Sequence, residues 1–228
     1  MLVFSHRGYH QTVPENTHEA FRQAIRMGVH GIETDVRLSA DGQAVLFHDR
    51  LVAGQPVAEL TRGELAALAA HEVPALDETL DAFDGIVWNL EIKSREAVDA
   101  TIRAVRRVGR SRRLLVTSFW HDVVVEVARQ TTVDCGLLVC IRPLRLDSVT
   151  SDAQRPGIWP DVLVWKYEMV DESLLGEARG RGIRNFVYGT ETPQDHKRCV
   201  ELPLDAVITD RPEFLFDALH APHPEHAA

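Results

Sequence analysis

The sequence predicts an α/β fold, an eight-stranded parallel (β/α)8 TIM barrel with a small insertion after strand 2. Three observations carry that prediction. Short apolar runs alternate with amphipathic helical patterns along the chain, and repeated strand–helix units make a parallel sheet. Eight such runs fit into 228 residues, close to the scale of about 250 residues on which these barrels are built. The first turn, His6-Arg7-Gly8-Tyr9, lacks the glycine-rich run that opens many doubly wound sheets, the competing architecture.

In order, the expected strands are Leu2–Ser5, Gly31–Val36, Ile86–Ile92, Leu114–Thr117, Cys135–Val139, Val162–Trp165, Asn185–Tyr188 and Ala206–Ile208. Asn16 with Glu19 three residues on resembles a capping box, and Phe21, Ala24, Ile25 and Gly28 continue at helical spacing. The same spacing recurs in Val98, Ile102 and Val105, while Gly109 and Gly182 punctuate helix ends. One connection is irregular. Between Phe47 and Ala82, Ala44–Phe47 offers a short extra strand just before it, "LTRGELAAL" reads as a helix capped by Thr61 and Glu64, and "VPALDETLDAF" starts another. Residues 1–219 are thus expected to form one barrel domain, with 48–82 as an insertion that shapes or covers the mouth. The histidine- and proline-rich end, 220–228, reads as a flexible tail.

A formal charge of −9 argues against a broad nucleic-acid or anionic-membrane surface, but leaves room for a small positive pocket. Cys135, Cys140 and Cys199 are too few and too irregular for a disulfide framework or a zinc site. No signal segment precedes Phe4 and no apolar run approaches a membrane span, so a cytoplasmic protein without stable membrane insertion is expected. Oligomeric state is not legible. Lysine is scarce, limited to Lys93, Lys166 and Lys197, which makes each position informative.

Strand side chains alternate faces. In "IVWNLEIK", Ile86, Trp88, Leu90 and Ile92 should meet the helices, while Val87, Asn89, Glu91 and Lys93 point into the barrel. In the second strand Ile32, Thr34 and Val36 face outward, and Glu33 and Asp35 inward. Buried carboxylates are costly unless paired with cations or bound to metal. Residues i and i+2 lie about 7 Å apart along a strand and neighbouring strands about 4.8 Å apart, so Glu33, Asp35 and Glu91 can converge near the mouth. An all-oxygen set suits a hard divalent cation, Mg²⁺ or Ca²⁺, better than zinc. The competing arrangement is a salt-bridge network with Arg7 or Lys93.

His6 ends the first strand and His48 follows "AVLF", so both can reach the same mouth. Two histidines flanking a carboxylate-bound cation suit general base and general acid on opposite sides of a phosphorus. Arg7 and Lys93 add fixed positive charge for phosphate oxygens, and Lys166 reaches the rim from strand six.

Six motifs, in order, are His6-Arg7-Gly8, Pro14-Glu15-Asn16-Thr17, Glu33-Thr34-Asp35, Asp41-Gly42, His48-Asp49 and Glu91-Ile92-Lys93. Together they resemble the glycerophosphodiester phosphodiesterase family. Thr117-Ser118-Phe119, "VPALDETL" and the closing "VITDRP" extend the likeness over most of the chain. The resemblance implies hydrolysis of small glycerophosphodiesters to sn-glycerol 3-phosphate and an alcohol, with one divalent cation. It implies Glu33, Asp35 and Glu91 as metal ligands, His6 and His48 as acid–base groups, and Arg7 and Lys93 as phosphate ligands. Tyr188 stands where the family usually has tryptophan, keeping an aromatic wall for the substrate. Two other readings are a lysophospholipase D-type enzyme on the same barrel, and a catalytically silent barrel that binds a phosphorylated ligand.

Overall fold

The computed structural model describes residues 1–150 and 159–220. Its parallel strands are β1 (Leu2–His6), β2 (Gly31–Leu38), β3 (Val87–Ile92), β4 (Arg113–Ser118), β5 (Asp134–Val139), β6 (Val162–Lys166), β7 (Arg184–Tyr188) and β8 (Ala206–Thr209). Each pairs with the next, and β1 also pairs with β8, Val3 opposite Val207, so the sheet closes. Closure leaves no barrel strand with an open edge. Around it lie α1 (His18–Arg26), α2 (Arg62–Ala69), α3 (Leu76–Ala82), α4 (Val98–Val108), α5 (His121–Gln130), α6 (Asp147–Thr150), α7 (Glu172–Gly180), α8 (Pro193–Glu201) and α9 (Pro212–His220).

The alternation expected from the sequence separates two apolar layers. Ile32, Val36, Trp88, Leu90 and Ile92 belong to the layer between sheet and helices. There Trp88 meets the Phe21 ring edge-on, with centroids 5.1 Å apart. Phe4, Leu115, Leu138, Val162, Val164, Phe186, Ala206 and Ile208 fill the barrel itself. Space inside is tight. A Cβ at Gly31 would lie 2.2 Å from the Phe4 ring, so glycine at the start of β2 is what admits that phenylalanine.

Two local expectations change. Thr17, not Asn16, caps α1: its hydroxyl accepts from the Ala20 N–H and donates to the Pro14 carbonyl. Glu19 then sits one position too early for a capping box and bonds Arg26 and Gln23 instead. Asn16 adopts a left-handed conformation (φ 55°) and turns inward. The strand before the irregular connection is Ala44–Leu46, antiparallel to the end of β2, with Val36 opposite Leu46.

After it come a hairpin of Leu51–Val52 and Gln55–Pro56, then α2 with the expected reciprocal cap between Thr61 and Glu64. Val45, Val57, Leu60, Leu65 and Val73 give this segment a core of its own. Among the described residues the three cysteines form no disulfide, Cys135 and Cys199 being buried and Cys140 exposed. Among the described residues no helix is long and apolar enough to cross a membrane. The expected tail, apart from His220, lies outside the described residues.

Candidate active site

The C-terminal ends of β1, β2 and β3 bring six of the expected residues into one connected cluster. Register does the placing: His6 stands opposite Glu33, and Asp35 opposite Glu91. One ligand oxygen from each of Glu33, Asp35 and Glu91 lies within 4.8 Å of the others, all three residues being buried. Lys93 Nζ donates to Glu91 Oε1 at 2.7 Å and lies 3.3 Å from Asp35 Oδ1. Arg7 Nε lies 3.0 Å from Asp35 Oδ2, while its Nη1 donates to both oxygens of Glu15 at 2.9 Å.

The turn after β1 fixes Arg7. Arg7 (φ 56°) and Gly8 (φ 78°) are both left-handed, and a Cβ on Gly8 would meet the Ala20 carbonyl carbon at 2.7 Å. A side chain at Gly8 would push α1 off the sheet, so the glycine of the His-Arg-Gly run is a packing requirement. Left-handed backbone at a non-glycine residue is costly, and it concentrates where a side chain must be held in one place.

Both cations satisfy the acids only in part. Glu33 Oε1 and Asp35 Oδ1 are buried without a hydrogen bond. Burial, with Asp35 alongside, pushes the Glu33 carboxyl up to about 8. Burial also raises Glu91, against the pull of Lys93. Asp35 stays low because Lys93 and Arg7 outweigh its burial. An orphaned oxygen on a carboxylate that resists ionisation leaves a deficit of positive charge at this point. Hard oxygen donors in such a cluster fit a Mg²⁺- or Ca²⁺-like ion.

His6 is held at Nδ1 by Asp210 Oδ1 at 2.7 Å, and its Nε2 lies 3.7 Å from Glu33 Oε2. Burial lowers the His6 pKa, but the Asp210 bond and the Glu33 charge overcome it and raise the ring to about 9. His48 enters from the segment beyond the short Ala44–Leu46 strand. The Phe47 N–H donates to the Asp35 carbonyl at 3.0 Å, and Arg37 Nε donates to the His48 carbonyl at 2.8 Å. His48 Nδ1 in turn faces Asp49 Oδ1 at 2.8 Å, and the ring is near enough to help hold Asp35 low. Each histidine thus has Nδ1 bound by a carboxylate, and neither Nε2 makes a hydrogen bond among the described residues.

Lys166 and Tyr188 sit opposite each other on β6 and β7 but do not bond to the acidic cluster. Lys166 Nζ pairs with Glu168 at 2.6 Å and is partly exposed. Tyr188 packs edge-on against Phe119, with centroids 6.0 Å apart. Burial, Cys140 and the Glu91 charge raise its phenol.

Three residues of the cluster went unassigned at the sequence level. Asp210 orients His6. Glu15 anchors Arg7. Asn16 Nδ2 donates to Asp35 Oδ2 at 2.9 Å while its carbonyl accepts from the Thr34 hydroxyl at 2.7 Å. A carboxylate directly after the last barrel strand was the available signal for Asp210.

Residues 6–214 match the pattern of the Glycerophosphoryl diester phosphodiesterase family. The chain is 32% identical, over 96% of its length and 91% of the relative's, to probable glycerophosphodiester phosphodiesterase 2 of Mycobacterium tuberculosis. It superposes on the solved glycerophosphodiester phosphodiesterase of Thermotoga maritima with a TM-score of 0.80 at 30% identity, covering 96% and 98% of the two chains. A phosphodiesterase of Oleispira antarctica, solved with its product sn-glycerol-3-phosphate, shares the fold with a TM-score of 0.83 at 21% identity, covering 97% of each chain. With its barrel closed and the six motif residues gathered at one mouth, this chain belongs to the glycerophosphoryl diester phosphodiesterase family.

Proposed function

We propose that the protein hydrolyses small glycerophosphodiesters to sn-glycerol 3-phosphate and an alcohol, using a divalent cation and two histidines. One observation carries the reading. A buried carboxylate trio with two unbonded oxygens lies beside two imidazoles, each offering a free Nε2. Glu33, Asp35 and Glu91 would hold the ion, Mg²⁺ or Ca²⁺. When bound it supplies Lewis acidity and offsets negative charge gathering on the phosphoryl oxygens.

The chain's own groups do the rest. Arg7 keeps Nη2 free of hydrogen bonds among the described residues, and with Lys93 it binds the non-bridging oxygens. One histidine removes the nucleophile's proton at Nε2, and the other delivers a proton from Nε2 to the departing alkoxide. The nucleophile is water or the glycerol 2-hydroxyl; the latter gives a cyclic phosphate that water then opens. Tyr188 and Phe119 form an aromatic wall, and Lys166 completes the far rim.

A second reading, action on lysophospholipids, has a specific observation in its favour. Phe119 and Trp120 after β4, and Ile141 and Leu144 after β5, expose apolar side chains on the loops at the mouth end, Leu144 almost completely. One experiment separates the readings. Purified protein is given glycerophosphocholine, glycerophosphoethanolamine or lysophosphatidylcholine, with and without chelator, and glycerol 3-phosphate and choline are measured. Chelator-sensitive release of glycerol 3-phosphate from the first two supports the main reading. Turnover confined to the lysolipid replaces it with the second, and no turnover of any diester removes both.

A further inference from the structure

The other end of the barrel carries a cavity, separate from the residues of the catalytic reading. A cavity of about 630 Å³ opens at the N-terminal ends of the strands, lined by the first residues of β1, β4, β5 and β7: Leu2, Arg113, Asp134 and Arg184. Its volume falls within the range of about 300–1,000 Å³ usual for small-molecule pockets. The floor is the underside of the barrel's own filling: Phe4, Val87, Leu115 and Phe186. Phe4 and Phe186 close the lumen there, with ring centroids 5.5 Å apart. The cavity is therefore a blind, apolar-bottomed recess rather than a channel to the catalytic mouth.

Its rim is strongly basic in a chain whose formal charge is −9. Five arginines line it, at 106, 110, 112, 113 and 184, against one carboxylate, Asp134. That carboxylate is already taken by Arg184 Nη2 at 2.6 Å, and Arg112 has Asp84 at 3.4 Å. The other three face no carboxylate among the described residues. Arg106 donates to the Gln130 carbonyl and side-chain oxygen, and Arg113 donates to the Gly85 carbonyl. Arg110 makes no hydrogen bond or ion pair among the described residues. Three uncompensated guanidinium groups above an apolar floor ask for a ligand with both an anion and a hydrocarbon part.

We propose that this cavity binds a single-chain anionic amphiphile, its chain along Leu2, Val87 and Val133 over the closed Phe4–Phe186 floor and its phosphate or carboxylate among Arg106, Arg110 and Arg113. The chemistry separates it from two simpler ligands. Free phosphate would leave Leu2, Val87 and Val133 wet, and a neutral amphiphile would leave the guanidinium groups unanswered.

The test is calorimetric titration of the full chain with monomeric decyl phosphate, inorganic phosphate and decyl maltoside. Decyl phosphate should bind one to one, with the other two weaker by at least about tenfold, since each lacks either the charge-assisted bonds or the apolar burial. Arg110→Glu, whose parent side chain holds nothing in place, should weaken decyl phosphate by at least about tenfold, the ordinary worth of a charge-assisted hydrogen bond. Arg113→Leu should do likewise, and diester hydrolysis should be unchanged in both. Three results overturn the proposal: no saturable binding of decyl phosphate, equal binding of inorganic phosphate, or full affinity in Arg110→Glu. Co-sedimentation with phosphatidylglycerol vesicles in the absence of monomer binding would also overturn it, making the rim a bilayer-facing patch.

Discussion

Replacing Asp210 by asparagine tests the catalytic reading at a residue that touches no substrate in it. Asp210 Oδ1 accepts from His6 Nδ1 at 2.7 Å and also lies 3.6 Å from His10 Nε2. A hydrogen bond between charged partners is worth about 1.5–3 kcal/mol, but the Asp210 side chain is 49% exposed, and solvent screening reduces that to about 1–2 kcal/mol. If the bond acts by orienting His6 and stabilising its protonated form, kcat should fall by about 5- to 30-fold. KM should not move, because Asp210 is placed behind the imidazole rather than against the diester. The sign of the titration follows from charge. Removing the anion disfavours the imidazolium, so in metal-free protein the His6 pKa should drop from about 9, read from its ring resonances by NMR. Asp210→Glu should restore part of both. Unchanged kcat in Asp210→Asn, or a His6 titration that does not move, refutes the orienting role.

Glu33 predicts a pH dependence in metal-free protein. Its pKa rises from 4.5 unfolded to about 8 folded, so the native state binds the extra proton and stability should fall as pH rises through that window. Glu33→Gln should flatten the slope in denaturant melts while abolishing tight binding of Mg²⁺ or Ca²⁺ by calorimetry; an unchanged slope would discard the assignment. Gly31→Ala should cost about 1–3 kcal/mol by overpacking Phe4, and a second change, Phe4→Leu, should recover much of it. Additive losses in that pair would show the contact is not the cause. Asn16→Ala should cost about 1–3 kcal/mol by leaving Asp35 Oδ2 and the Thr34 hydroxyl short of partners, measured by urea unfolding.

What was legible in the chain followed from how local each signal is. Period-two alternation put Glu33, Asp35 and Glu91 on the inner face because a strand's own geometry decides that, and the register of β2 on β3 then had only to align them. The reciprocal cap at Thr61 and Glu64 spans four residues and needs nothing else. Asn16 and Thr17 are both good capping residues, and local sequence does not say which one the turn will use. The choice is made at a distance, by the polar groups of Thr34 and Asp35, which draw Asn16 inward. Asp210 and His6 are 204 positions apart, so their pairing exists only once β8 closes against β1.

The electrostatics of the mouth link these placements to the proposed chemistry. The sequence offered two arrangements for the buried acids, an ion or a network with Arg7 and Lys93, and they need not exclude one another. Lys93 spans Glu91 and Asp35, and Arg7 spans Asp35 and Glu15, so the metal-free chain can fold without three naked charges at the end of β2 and β3. Yet neither cation reaches the orphaned Glu33 Oε1. An ion that took over the trio would weaken the hold of the acids on Lys93 and on Arg7 Nε, turning both toward incoming anionic oxygens. On the proposed reading, the cations that keep the acids in place before the ion arrives would be the ones freed to hold a phosphate afterwards, so the same two residues fit both arrangements the sequence offered.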